Sequence, residues 1–181
     1  MLRSALLLAL VAALIPGEGF AQSASALATG RASANVIEPM SVVSLRDLSF
    51  GALTVGRQTG GAVAISAQTA AASYDGTVIP ACTGADGCDG HTALVAISGE
   101  AGRTCRVQVP TAMIAEGQET GQRLEVASRA HFSRNRGTTG PRGRLDQEGS
   151  DIVSIGGSLA VPAATRPDRF RAEINLSFAY D

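Results

Sequence analysis

Residues 170–181 read Phe-Arg-Ala-Glu-Ile-Asn-Leu-Ser-Phe-Ala-Tyr-Asp, and this stretch decides the fold. Phe170, Ala172, Ile174, Leu176, Phe178 and Tyr180 alternate with Arg171, Glu173, Asn175, Ser177 and Ala179. A period of two puts one set on one sheet face and the other set opposite. The pattern predicts a core strand running from Phe170 to Tyr180, with Ile174, Leu176, Phe178 and Tyr180 facing inward. Chain ends fray unless something ties them down. An apolar strand with an aromatic in the penultimate position therefore predicts a β-sandwich whose last strand closes the core, and it raises strand exchange between copies.

Toward the N-terminus, strand signals recur at short intervals. Extended runs are expected over Ala32–Glu38, Met40–Leu45, Leu48–Phe50, Gly61–Ala67, Tyr74–Ile79, Thr92–Ser98, Thr104–Val109, Arg123–Phe132 and Ile152–Val161. Gly, Pro and Asp separate them, which is the punctuation of an all-β domain. The expectation is an immunoglobulin-like or pilin-like antiparallel sandwich of about 8–10 short strands. The Ala-rich stretch Ala67–Ser73 suits one helical turn at most. No long repeat is visible, which argues against a solenoid or propeller.

The first residues predict export. Arg3 precedes the apolar run Ala5–Ile15, Pro16 and Gly17 break it, and small residues follow. That run is shorter than the roughly 20 residues a spanning helix needs, and it has the grammar of a signal peptide. Residues 1–21 read as the leader, with cleavage after Ala21 or, alternatively, Ala26. Residues 22–30 then form a flexible segment or one that pairs with a neighbouring subunit's sheet edge, and residues 31–181 form a single domain. The expected location is the periplasm, cell surface or extracellular space, with no membrane span after cleavage.

Composition narrows the partners. All 15 basic residues are Arg, and the formal net charge is -1, so nothing drives the whole chain toward nucleic acid or an anionic membrane. There is no Trp, and 21 residues are Gly, so the core must be built from small and β-branched side chains. The stretch holding Arg129, Arg134, Arg136, Arg142 and Arg144 is locally basic. Gly137, Gly140, Pro141 and Gly143 make its second half a loop, read either as a solvated hairpin tip or as a patch for anionic glycan.

No catalytic constellation stands out. His91 and His131 are the two histidines, and neither lies in a nucleophile elbow, a zinc helix or a phosphate-binding loop. Asp146, Glu148 and Asp151 cluster but lack the ligand spacing of a calcium loop. The expectation is a protein without catalytic residues, metal or cofactor, with a hydrolytic enzyme as the remote alternative.

Cys82, Cys88 and Cys105 in an exported chain predict disulfide bonding. If Tyr74–Ala81 and Asp89–Ile97 form a hairpin, Cys82 and Cys88 face each other across its loop, leaving Cys105 a buried free thiol. Cys82–Cys105 is the rival pairing. A Cys3His zinc site with His91 is disfavoured by the wide gap between Cys82 and Cys88.

Several blocks, in order, resemble the bacterial secreted domain of unknown function family 4402. They are Ala34-Asn35-Val36-Ile37-Glu38-Pro39-Met40-Ser41-Val42, Asp47-Leu48-Ser49-Phe50-Gly51, Ser98-Gly99-Glu100-Ala101-Gly102, Val107-Gln108-Val109-Pro110, Ile155-Gly156-Gly157-Ser158-Leu159-Ala160-Val161-Pro162 and Ile174–Tyr180. The resemblance implies an exported domain and carries no activity. A looser similarity is to pilin subunits of the chaperone–usher route, incomplete sandwiches completed by a partner strand. Those subunits often keep a glycine upstream of the last strand, where this chain has Pro167-Asp168.

Two functions follow as expectations. One is a pilin-like structural or adhesive surface subunit, partnered by copies of itself or a periplasmic chaperone. The other is a monomeric module that binds anionic surface glycan through the Arg129–Arg144 stretch.

Overall fold

Alternation of small and β-branched residues produces strands throughout. The computed structural model describes residues 29–82, 84 and 88–181, with the backbone alone at 129 and 130. The leader and most of the 22–30 segment fall outside the described residues. In chain order the strands are β1 (Ser41–Arg46), β2 (Leu53–Thr54), β3 (Gly61–Ile65), β4 (Ala72–Gly76), β5 (Ile79–Pro80), β6 (Ala93–Ser98) and β7 (Thr104–Gln108). They continue as β8 (Ala112–Gly117), β9 (Arg123–Ser133), β10 (Thr138–Thr139), β11 (Arg142–Arg144), β12 (Ser150–Val161), β13 (Phe170–Arg171) and β14 (Ser177–Tyr180). Several are two-residue pairings, so the strands outnumber the 8–10 expected. All pairings are antiparallel, and the fold is an all-β sandwich.

The large sheet runs β1-β6-β12-β9-β8-β13, with β3 and β4 joined to β12 and β10 joined to β9. A smaller sheet runs β11-β7-β14, and β2 pairs with β5. The central strand is β12. Its first half pairs with β6 and its second half with β3, while β9 lies along its other edge. The partner changes at Gly156-Gly157, where the register with β9 also slips. A Cβ on Gly156 would meet the Ile65 carbonyl oxygen and the Ala67 nitrogen, so only glycine admits β3 at that spot.

The core divides into two clusters. Val63, Val78, Met113, Leu124, Val126, Leu159 and Val161 form the first, closed by Phe50, Leu53 and Val55. Val95, Ile97, Cys105, Val107, Leu145, Val153 and Ile155 form the second, where the small sheet packs on β6 and β12. Burying each such side chain contributes roughly 1.5–3 kcal/mol. Residues 36–181 form one compact unit.

Several expectations need correcting. Residues 170–180 do not form one strand: β13 pairs with β8 in the large sheet, β14 with β7 in the small one, and 172–176 are irregular. The cause is the β7–β8 corner at Val109-Pro110, which the closing segment must follow from one layer to the other. Its alternation survives the crossing. Phe170 and Ile174 pack on the first cluster; Leu176, Phe178 and Tyr180 pack on the second.

Residues 32–38 are exposed and belong to no strand. Residues 66–71 form the β3–β4 hairpin turn, in which the Ala70 N–H to Ser66 carbonyl bond of 2.9 Å closes one helical-type turn, the most that this Ala-rich stretch was expected to form. The hairpin inferred around the cysteines does not form, because β4 pairs with β3, β5 with β2, and β6 with β1 and β12. The Arg129–Arg144 stretch is mostly strand, since β9 turns into β10 and the chain then enters β11.

Candidate functional site

Among the described residues, β1 is the outermost strand of the large sheet and pairs only with β6. Val42 faces the core side with Ile97, while Val43 lies opposite Ala96 on the outer face. Neither face is covered: Val42, Val43 and Leu45 are 41%, 55% and 54% exposed. The register slips between Ser44 and Arg46, so the regular edge is Ser41–Ser44. Ahead of it, Val36 and Ile37 are exposed as well.

Tyr180 ties the closing strand to this region. Its hydroxyl accepts from the Glu100 N–H at 2.8 Å and donates to the Glu38 carbonyl at 3.0 Å. A Cβ on Gly99 would collide with that hydroxyl, so glycine there makes the seat. The expected inward set of Ile174, Leu176, Phe178 and Tyr180 thus lines the core, each half-buried. Sheet alternation found these residues. The break between Ile174 and Leu176 carried no sequence signal.

A second site lies on the outer face of the small sheet. Arg142 stands directly opposite Arg106 across the β11–β7 pair. Both grip Asp181: Arg106 Nε and Nη2 reach Oδ1 at 3.1 and 2.9 Å, and Arg142 Nε reaches Oδ2 at 2.7 Å. Arg136 joins them around an open groove of about 530 Å³ that Gln108, Thr139, Gly140 and Pro141 complete. Of the basic residues singled out in the sequence, Arg136 and Arg142 line this groove. Arg134 and Arg144 are exposed elsewhere, and the Arg129 side chain lies outside the described residues. Arg106 was missed because it is remote in sequence, although its place between inward Cys105 and Val107 marks it as outward-facing.

Cys82 and Cys88 form a disulfide with Cα atoms 5.4 Å apart, and Cys105 is a buried free thiol. The disulfide loop is held by the Ala52 N–H to Cys88 carbonyl bond and the Ala81 N–H to Ala52 carbonyl bond, not by a hairpin. Cys105 lies on β7 in the small sheet, within the second core cluster. Its thiol is pushed up, first by burial and also by the Asp151 charge, against a lowering backbone hydrogen bond at Gly143.

The acidic residues of the 146–151 turn do not converge. Asp151 is buried and accepts from the Ser133 hydroxyl at 2.6 Å and the Asn135 and Arg144 N–H groups, bracing β9 and β11 against β12. Asp146 instead caps the Glu148 and Ser150 N–H groups. Burial lowers the pKa of His131, which lies opposite Ile155. Among the described residues, no group of three or more His, Cys, Asp and Glu side chains is placed to hold a metal, and no helix is long and apolar enough to cross a membrane.

A family model described as "Domain of unknown function (DUF4402)" matches residues 40–180. Comparison with curated proteins and with solved structures finds no match.

Proposed function

Since the chain belongs to the DUF4402 family, we propose that it is an exported, non-catalytic β-sandwich subunit of the bacterial cell surface that assembles by strand addition. The observation that carries this reading is β1, a strand with three exposed apolar side chains and a backbone edge that pairs with no other strand among the described residues. Such an edge is a template for another strand, and proteins with no use for it blunt it with charge, proline or a bulge. Here Pro39 lies before the edge and the Leu45 slip lies after it. Ser41–Ser44 stays open between them.

The occupant is an extended segment of a second copy, with the stretch ahead of β1 as donor. Its described part, residues 29–40, belongs to no strand. Backbone hydrogen bonds supply affinity, and alternate side chains set register. A periplasmic chaperone strand would cover the same edge before assembly. Export rests on the leader read in residues 1–21.

Size-exclusion of protein purified after export tests this. The expected result is a ladder of multimers that collapses to monomer in the Val43→Lys, Leu45→Lys double variant, whose melting temperature matches that of dilute wild type. A wild-type protein that stays monomeric as its concentration rises sinks the reading.

A further inference from the structure

We propose that the groove lined by Arg106, Arg136 and Arg142 binds a carboxylate-bearing polysaccharide, a polyuronate, and that Asp181 occupies part of it as an internal stand-in. Two guanidinium groups placed directly opposite on neighbouring strands repel one another. Their juxtaposition calls for an anion between them. Asp181 supplies one, and three charge-assisted bonds of 2.7–3.1 Å converge on its two oxygens. Planar guanidinium forks match a planar carboxylate in this way. The groove therefore already holds a carboxylate in receptor geometry.

One carboxylate leaves the groove basic. Arg136 has no carboxylate partner among the described residues, and its Nε donates to the Thr138 hydroxyl at 3.2 Å. The Arg106 and Arg142 side chains remain 51% and 52% exposed while the Asp181 side chain is only 19% exposed, so their outer N–H groups still face solvent. Gln108 and Thr139 add hydrogen-bonding groups suited to sugar hydroxyls, and Gly140-Pro141 gives a low wall against which a ring can lie.

The lining also sets the ligand apart from other polyanions. Among the described residues, no aromatic side chain lines the groove for a base to stack on, which disfavours nucleic acid. Nor, among these residues, does a large apolar side chain line it to enter a bilayer. This site lies on the small sheet, away from the β1 edge of the large one, and a monomer would retain it.

The test is binding of the exported protein to polygalacturonate at about 0.15 M salt, where long-range attraction between exposed charges is largely screened. Neutral dextran and dextran sulfate serve as the comparison arms. Polygalacturonate is expected to bind, dextran not at all, and dextran sulfate more weakly at equal charge. Arg136→Ser is expected to weaken polygalacturonate binding about tenfold, with the melting temperature unchanged. Asp181→Asn is expected to tighten it several-fold by removing the internal competitor.

Absent polygalacturonate binding, or binding unaffected by Arg136→Ser, overturns the site. Equal or tighter binding of dextran sulfate overturns the carboxylate assignment. Unaltered or weaker binding by Asp181→Asn overturns the role given to Asp181.

Discussion

Asp168 shows how much one side chain can organise in a sandwich with few large residues. Its carboxylate accepts from the N–H groups of Glu119, Thr120 and Arg169 and from the Thr120 hydroxyl, at 2.6–3.2 Å. It thereby ties the β8–β9 turn to the chain entering β13. The Thr120 hydroxyl is the main cause of a pKa lowered from 3.8 to about 2; desolvation opposes it and the three N–H groups add to it. A pKa depressed in the folded state means that the carboxylate stabilises the fold above pH 3.8, and that this contribution disappears as pH falls through about 2. Asp168→Asn is therefore expected to melt at a lower temperature at neutral pH. The gap to wild type should close over the same acid range. Melting curves across that range decide it, since a gap independent of pH would mean that the charge is not what matters. The sequence marked this position only as a departure from pilin grammar. Its turn-tying role depends on Thr120, and pattern reading does not reach that far along the chain.

At the scale of elements, alternation was legible and partner choice was not. Ala93, Val95 and Ile97 face inward as a period of two requires, and so do Val153 and Ile155. β8 was overlooked because Ala112–Gly117 mixes alanine, glutamate and glycine, weak strand formers, around buried Met113 and Ala115. The cysteine pairing came out as expected although its assumed hairpin did not exist, because a short loop brings Cys82 and Cys88 together in either arrangement. The two-sheet path of 170–180 was hidden for a related reason. The corner at Val109-Pro110 decides it, and nothing within residues 172–176 announces it.

β12 gives the sharpest test at this scale, because one strand serves β6, β3 and β9 through the pair Gly156-Gly157. Gly156→Val would drive a branched side chain into the backbone at Ile65, the end of β3, and at Ala67 in the turn after it. The expected cost is about 1–3 kcal/mol, as for other overpacked sites. Ala160→Val, at an exposed position of the same strand, should stay within about 0.5 kcal/mol of wild type. Urea denaturation of the two variants separates them. Equal stabilities would mean that β3 is not held against β12 as described.

For the whole molecule, the question is how firmly the small sheet stays on the large one, and Cys105 reports it. Cys82 and Cys88 are bonded to each other, which leaves Cys105 as the free thiol, and it is fully buried. It lies on β7, the middle strand of the small sheet, among Val107, Leu145, Val153 and Ile155. A thiol reagent can reach it only when that sheet parts from β6 and β12. When such openings are fast relative to the chemistry, the labelling rate follows their population. Burial also raises the thiol's pKa, so little of it is thiolate near neutral pH and labelling is slowed further. Native protein is thus expected to resist a maleimide that labels one thiol per chain once urea has unfolded it. Strand addition at β1 should stabilise the closed form by mass action and slow labelling as the protein is concentrated. The Val43→Lys, Leu45→Lys variant should label at a rate independent of concentration. Complete labelling of the native protein on mixing would contradict the buried position of Cys105. A concentration-independent rate in wild type would separate assembly from β1, because added strands would then leave the sandwich no harder to open.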